Sequence, residues 1–193
     1  MFVGRIVPNK KFEDVIACFA AYKEKYDPTA RLFLVGNYQE TDTYYQYLQE
    51  YIKKCGVKDV IFPGHIAFNA ILAYYKIADL FLCMSEHEGF CVPLVEAMFF
   101  ETPIVAYAST AIPGTLGGSG VLVETKEPEM VAEAMNHVMQ DAEYRSEILK
   151  KQNERLKDFA YESIRGQILD EIEKVQQSKI DKVRNQNGEE KTD

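Results

Sequence analysis

Leu80-Phe81-Leu82-Cys83-Met84 is an unbroken apolar run that stops abruptly at Ser85-Glu86-His87-Glu88-Gly89. A strand of that make-up has no polar face to offer water, so both of its faces must be covered. Beyond the polar turn, Leu94, Val95, Ala97 and Met98 return at helical spacing. Pro93 suits the first helical turn, where its missing N–H is no loss. Residues 80–98 are therefore expected as strand, tight turn and helix. Gly89 gives the turn room for a positive φ or a close ligand. A helix starting here aims the positive end of its dipole at whatever lies above the strand.

The same alternation runs through the chain. Phe2-Val3, Arg31-Leu32-Phe33-Leu34-Val35, Val60-Ile61-Phe62, Ile104-Val105-Ala106-Tyr107 and Val121-Leu122-Val123 read as further strands. Between them lie helical stripes: Phe12, Val15, Ile16 and Phe19; Tyr44, Leu48, Tyr51 and Cys55; Ile71, Leu72, Tyr75 and Ala78; Val131, Met135 and Val138. Another helix is expected over about 141–159, and a last stripe is Ile164, Ile168, Ile172 and Val175. The order predicts an α/β fold: an open, mostly parallel, doubly wound, Rossmann-like sheet of about six strands with helices on both faces. Residues 1–176 form one domain in this reading, and the polar stretch 177–193 is a tail without fixed structure.

Ligands of such sheets sit outside the carboxyl ends of the strands. The loops with unusual chemistry fall there: 4–10, 36–37, 64–66, 85–93 and 108–120. In the first of them, Arg5 could grip two oxygens of an anion and Lys10 could act as a point charge. In the fourth, Glu88 lies in the turn and Glu96 farther into the helix, where a carboxylate could accept from a sugar diol. Paired carboxylates also suit a glycosidase, but that chemistry needs neither a phosphate-friendly helix start nor an Arg/Lys pair. His65 and His87 read as polar loop residues. Ser109 and Thr110 could donate to phosphate or sugar.

Composition narrows the class. With 47% apolar residues and no apolar run near the roughly 20 needed to span a bilayer, the chain reads as a soluble globular protein. Net charge of −8 argues against nucleic acid as a partner, while a local pair of cations can still serve a small anion. Cys18, Cys55, Cys83 and Cys91 are scattered without a CxxC pair, so reduced thiols are expected rather than disulfides or zinc. No protein-bound metal or cofactor is expected. Met1 leads straight into a core-strand pattern rather than a secretory leader, so a cytoplasmic location is expected.

At these residues the chain resembles the nucleotide-sugar-binding domain of retaining GT-B glycosyltransferases, glycosyltransferase family 4. Gly4-Arg5-Ile6-Val7-Pro8-Asn9-Lys10 looks like the family's diphosphate loop, and Phe62-Pro63-Gly64-His65-Ile66 like the loop along the base. Glu88-Gly89-Phe90-Cys91-Val92-Pro93-Leu94-Val95-Glu96-Ala97-Met98 looks like its signature of two glutamates with seven residues between them. The resemblance covers about residues 1–175. It implies a transferase that moves a sugar from a nucleoside diphosphate to a glycan or lipid-linked acceptor. Arg5 and Lys10 would hold the diphosphate, Glu88 the donor sugar and Glu96 the ribose. Backbone from Gly89, Phe90, Cys91 and Val92 would cap oxygens, and Gly4, His65 and Ile66 would complete the donor site. Glu88, Arg5 and Lys10 would carry the catalysis, without a metal.

Two departures stand out: Glu101 replaces a helix-end glycine, and the loop around Gly114 lacks an acidic residue. The acceptor-binding half that the family pairs with this domain lies outside the sequence. The last helix, about 161–176, would cross to that half or pair two copies, and the whole enzyme would sit at the inner face of the membrane. A nucleotide-sugar epimerase of the same fold, or a non-catalytic interaction module, are the alternatives. The isolated domain is expected to bind nucleotide without turnover.

Overall fold

The computed structural model describes residues 1–189, with side chains through residue 179. Two compact units divide the chain, residues 1–155 and those from 156 onward. The first alternates β1 (Phe2–Val3), α1 (Phe12–Lys25), β2 (Leu32–Val35), α2 (Thr43–Cys55), β3 (Val60–Gly64) and α3 (Phe68–Ile77). It continues through β4 (Phe81–Cys83), α4 (Val92–Phe99), β5 (Ile104–Tyr107), α5 (Ile112–Leu116), β6 (Val121–Val123), α6 (Pro128–Gln140) and α7 (Ala142–Leu156). Every strand pairing is parallel, in two ladders ordered β1-β2-β3 and β4-β5-β6. The α/β, Rossmann-like fold expected from the alternation of apolar patterns is the fold observed.

The ladders meet where the Leu82 N–H donates to the Met1 carbonyl at 2.9 Å, which makes β1 and β4 neighbours. From that seam successive strands are laid down in opposite directions. The loops leaving β1 and β4 therefore emerge side by side at the carboxyl edge, the switch point at which ligands of such sheets bind. Aromatic packing fills the space around the seam. The Phe2 ring lies 5.1 Å from that of Phe12 and 5.7 Å from that of Phe81, and all three are fully buried. Tyr75, equally buried, lies 6.0 Å from Phe81 and 5.7 Å from Phe100. β4 is buried along its whole length, as its lack of polar side chains requires.

Three local expectations are corrected. β3 does not stop at Phe62 but takes in Pro63 and Gly64. It is the edge strand of its ladder, where a missing donor does little harm, and the β2–β3 register shifts between Phe33 and Val35. The loop 108–120 contains a short helix, α5, with Pro113 in its first turn. Its five residues are too few to show a 3.6-residue period in the sequence. In the second unit, a 3₁₀ turn (Lys157–Phe159) leads into α8 (Tyr161–Glu189). That helix runs past the expected end near 176, so 177–189 is helical; residues 190–193 of the expected tail lie outside the described residues. Extending a helix that already exists needs no apolar stripe, because the costly step is nucleation. Along α8, Ile164, Ile168, Ile172 and Val175 are exposed. No helix among the described residues is long and apolar enough to cross a membrane.

Glu101 follows α4 with φ at +55°, in the left-handed region that a Cβ disfavours. Its N–H donates to the Met98 carbonyl at 3.1 Å, as a helix-terminating residue in this conformation does. Its side chain is exposed and gains only a 3.4 Å hydrogen bond from Asn153. Glu101→Gly should therefore raise the free energy of unfolding by about 1 kcal/mol, read as a higher urea midpoint with an unchanged slope.

Candidate functional site

The loop after β1 is built on a close approach of two glycines. Gly4 donates to the Val35 carbonyl at 2.9 Å, and Ile6 donates to the Asn37 carbonyl at 3.3 Å. A Cβ on Gly36 would stand 1.8 Å from the Gly4 carbonyl oxygen, so only glycine lets the loops after β1 and β2 lie together. A 3₁₀ turn over Pro8–Lys10 then ends at Lys11, whose φ of 52° redirects the chain into α1. The turn delivers Lys10 and Asn9 to the loop that leaves β4.

The Lys10 ammonium lies 2.6 Å from both carboxylate oxygens of Glu88, a residue 78 positions later in the chain. Glu88 is buried, and the Lys10 side chain is 19% exposed. Backbone reinforces the contact on either side: Glu86 N–H donates to the Asn9 carbonyl at 3.0 Å, and the Asn9 amide donates to the His87 carbonyl at 3.2 Å. From the opposite side, the Thr110 hydroxyl accepts from Glu88 N–H at 2.9 Å and donates to the Glu88 carbonyl at 3.1 Å. The Ser109 and Thr115 hydroxyls donate to the Ser85 and Phe90 carbonyls, each at 2.5 Å. The acidic turn is thus held by the β1 loop on one flank and by the β5–α5 segment on the other. At its entrance Lys126 bridges Asp14 at 2.7 Å and Glu86 at 2.9 Å, and its hydrogen bond keeps the Glu86 carboxyl below the usual range.

α4 begins at Val92 with Cys91 as its N-terminal cap, at a φ of 68°. Of the two uses expected of Gly89, room for a positive φ or for a close ligand, the first is corrected: Cys91 carries the positive φ, and a Cβ on Gly89 would meet open space. One turn on, Glu96 accepts from the Tyr75 hydroxyl at 2.8 Å. Burial pushes that phenol's pKa well up, with the Glu96 charge adding to it, so Tyr75 remains a donor and fixes the carboxylate. Arg5 is exposed on the β1 loop. His65 and Ile66 follow β3, the first exposed and the second half-buried, beside a stacked Tyr38–Tyr45 pair whose ring centroids are 4.0 Å apart. Phe90 and Val92 are exposed at the mouth of the turn.

The structure thus joins Lys10 to Glu88 directly, while Arg5, Glu96, His65 and Ile66 occupy neighbouring loops or helix without touching that pair. Sequence reasoning gave Thr110 a part as a ligand donor; here it is the clamp on the Glu88 backbone. It overlooked Asn9 and Lys126, and it treated Tyr75 only as an apolar stripe residue. Polar tips on those stripes were the available signal. It also did not foresee that the Cys83 and Cys91 sulfurs and a Glu88 oxygen lie within 4.8 Å of one another, all three buried. A divalent ion there would displace the ammonium that already neutralises Glu88.

Comparison with known proteins puts this arrangement in a family. The model of the group 1 glycosyl transferases matches residues 1–156. Mannosylfructose-phosphate synthase of Agrobacterium fabrum is 34% identical over 108 residues, covering 53% of this chain and 24% of that protein. N-acetyl-alpha-D-glucosaminyl L-malate synthase of Bacillus anthracis is 28% identical over 161 residues, covering 82% of this chain and 39% of that protein. The crystal structure of the C-terminal domain of a group 1 family protein, LpcC from Francisella tularensis, aligns with a TM-score of 0.69 at 26% identity, covering 81% of this chain and 83% of that one. Against the two curated relatives, this chain spans only about a quarter to two fifths of their length.

Removing the Lys10 charge strands a buried carboxylate. Lys10→Met should lower the free energy of unfolding by about 3 kcal/mol, whereas Lys10→Met combined with Glu88→Gln should recover at least half of that loss. Urea denaturation of the parent, both single variants and the pair closes this cycle.

Proposed function

Because the chain belongs to the group 1 glycosyl transferases, we propose that it is the donor-binding part of a retaining enzyme that moves a hexosyl unit from a nucleoside-diphosphate sugar to a glycan or lipid-linked acceptor. The observation that carries this reading is the Lys10 ammonium held on both Glu88 oxygens across the crevice. An ammonium has three donors. Two are used on Glu88, and the third is available to a diphosphate oxygen, with Arg5 on the same loop as a second, bidentate cation. Glu88 then lies within reach of the sugar that the diphosphate carries. Glu96, oriented by Tyr75, is suited to accept from the ribose hydroxyls. Backbone around Gly89 and the positive end of α4 complete the anion's surroundings, while His65 and Ile66 meet the base.

This arrangement suits bond cleavage with a diphosphate leaving group. Negative charge on the leaving oxygen grows as the glycosidic bond lengthens. Fixed cations and an oriented helix stabilise that growth more in the transition state than in the bound substrate. In this reading the chain's own cations meet the diphosphate charge, without a protein-bound metal. Acceptor binding belongs to sequence beyond the part described, and this part alone binds donor without turnover.

Calorimetry with UDP-, GDP- and ADP-sugars tests the proposal. One of the three should bind, and Arg5→Ala and Glu96→Ala should each weaken it by about 1–3 kcal/mol. Silence from all three at millimolar concentration would overturn the reading.

A further inference from the structure

Cys83 ends β4 and Cys91 caps α4, so the two cysteines bracket the turn that carries Glu88. Both are buried, and their sulfurs approach within 4.8 Å. We propose that Cys83 and Cys91 are an oxidisable dithiol, and that a peroxide closes them into a disulfide that disables the crevice. Neither the family match nor the reading of the donor site assigns these thiols a role.

Three features favour a dithiol over a metal site or two inert core residues. Lys10 already neutralises Glu88, which disfavours a cation at the third vertex. The thiols are unlike one another: the neighbouring Cys91 thiol and the polar groups of Ser85, whose hydroxyl accepts from Cys83 at 3.5 Å, draw the Cys83 pKa down despite burial, while the Cys83 neighbour and burial raise the Cys91 pKa. One sulfur is thereby prepared as nucleophile, and the other retains its proton to follow. Finally, there is open space beside the turn between them: a Cβ on Gly89 would meet nothing within 4 Å.

The chemistry balances with hydrogen peroxide, an oxidant close to water in size. Cys83 thiolate attacks one peroxide oxygen, breaking the O–O bond to give a sulfenic acid and hydroxide, which takes up the proton Cys83 gave up. Cys91 sulfur then displaces the sulfenic oxygen. The S–S bond forms, the Cys91 proton goes to the departing hydroxide, and the sum is two thiols and one peroxide to one disulfide and two waters. Two sulfur atoms are oxidised and two peroxide oxygens reduced. Joining the sulfurs pulls the α4 cap toward the end of β4 and displaces Glu88 between them. The effect on donor binding rests on the proposed function above, but formation of the bond does not.

The test uses the full chain, reduced and then exposed to hydrogen peroxide. Trypsin releases residues 77–126 as one peptide that holds Cys83 and Cys91 but neither Cys18 nor Cys55. After peroxide, this peptide should be lighter by two hydrogens and refuse alkylation until reduced. Binding of the nucleotide sugar identified by calorimetry should weaken about tenfold or more, and dithiothreitol should restore it. Cys83→Ser should bind as the parent does and ignore peroxide, and Cys55→Ser should remain sensitive. A peptide that keeps both thiols alkylatable while the exposed Cys55 oxidises would overturn the proposal, as would a disulfide that leaves binding unchanged. Thiols that resist peroxide until a chelator strips zinc from the protein would overturn it in favour of a metal site. Failure of the reduced protein to bind any nucleotide sugar would count against the donor reading alone, since the peptide mass reads the bond without it.

Discussion

A lysine from the first βα loop and a glutamate from the fourth, too far apart in sequence to meet in any local element, neutralise each other over the seam of the sheet. The rest of the site depends on that contact. A buried carboxylate is costly without a partner, and Lys10 is the partner that makes Glu88 tolerable where β4 ends. The pairing also fixes the distance between the two loops. Anything that enters the crevice meets a cation and an anion already locked together, with little freedom left to lose on binding.

Backbone strain gathers around the same place. Among the described residues, five other than glycine have a positive φ, and Lys11, Cys91 and Thr110 of these flank the crevice. Each sits where a loop must turn sharply to present its neighbour: Lys11 behind Lys10, Cys91 at the head of α4, Thr110 beneath Glu88. Conformations of this kind persist only where surrounding contacts over-determine them. The Asn9, Ser109 and Thr115 hydrogen bonds and the aromatic packing around Phe2 and Phe81 supply that determination. Glu101 is the contrast. It shares the left-handed conformation but lies at the far end of α4, where it caps a helix and touches no part of the crevice.

How much of this was legible in the sequence follows from which forces act locally. Strand-and-helix alternation is written in apolar spacing, so the six strands and the long helices could be read directly, and the glutamate pair stood out by its context. The α5 helix could not be read, because five residues barely exceed one turn. Nor could the end of α8, where backbone hydrogen bonding continues without an apolar face to announce it. Within the site, the meeting of the loops was inferable from strand order, but its details were not. Thr110 as a clamp on the Glu88 backbone and Cys91 as the strained cap depend on tertiary contacts that no window of sequence contains. The thiol pair is the same case: eight positions apart, the cysteines look unrelated until the turn between them folds back.

The seam between β1 and β4 has a consequence for how the molecule is made. Sheet pairings on either side join strands that follow one another in the chain, so each ladder can assemble from nearby segments. The Lys10–Glu88 contact spans three βα units and brings together the two assemblies. Closing so long a loop carries an entropic cost that is recovered only when both halves already exist. The Lys10–Glu88 site accordingly belongs to neither half-sheet alone.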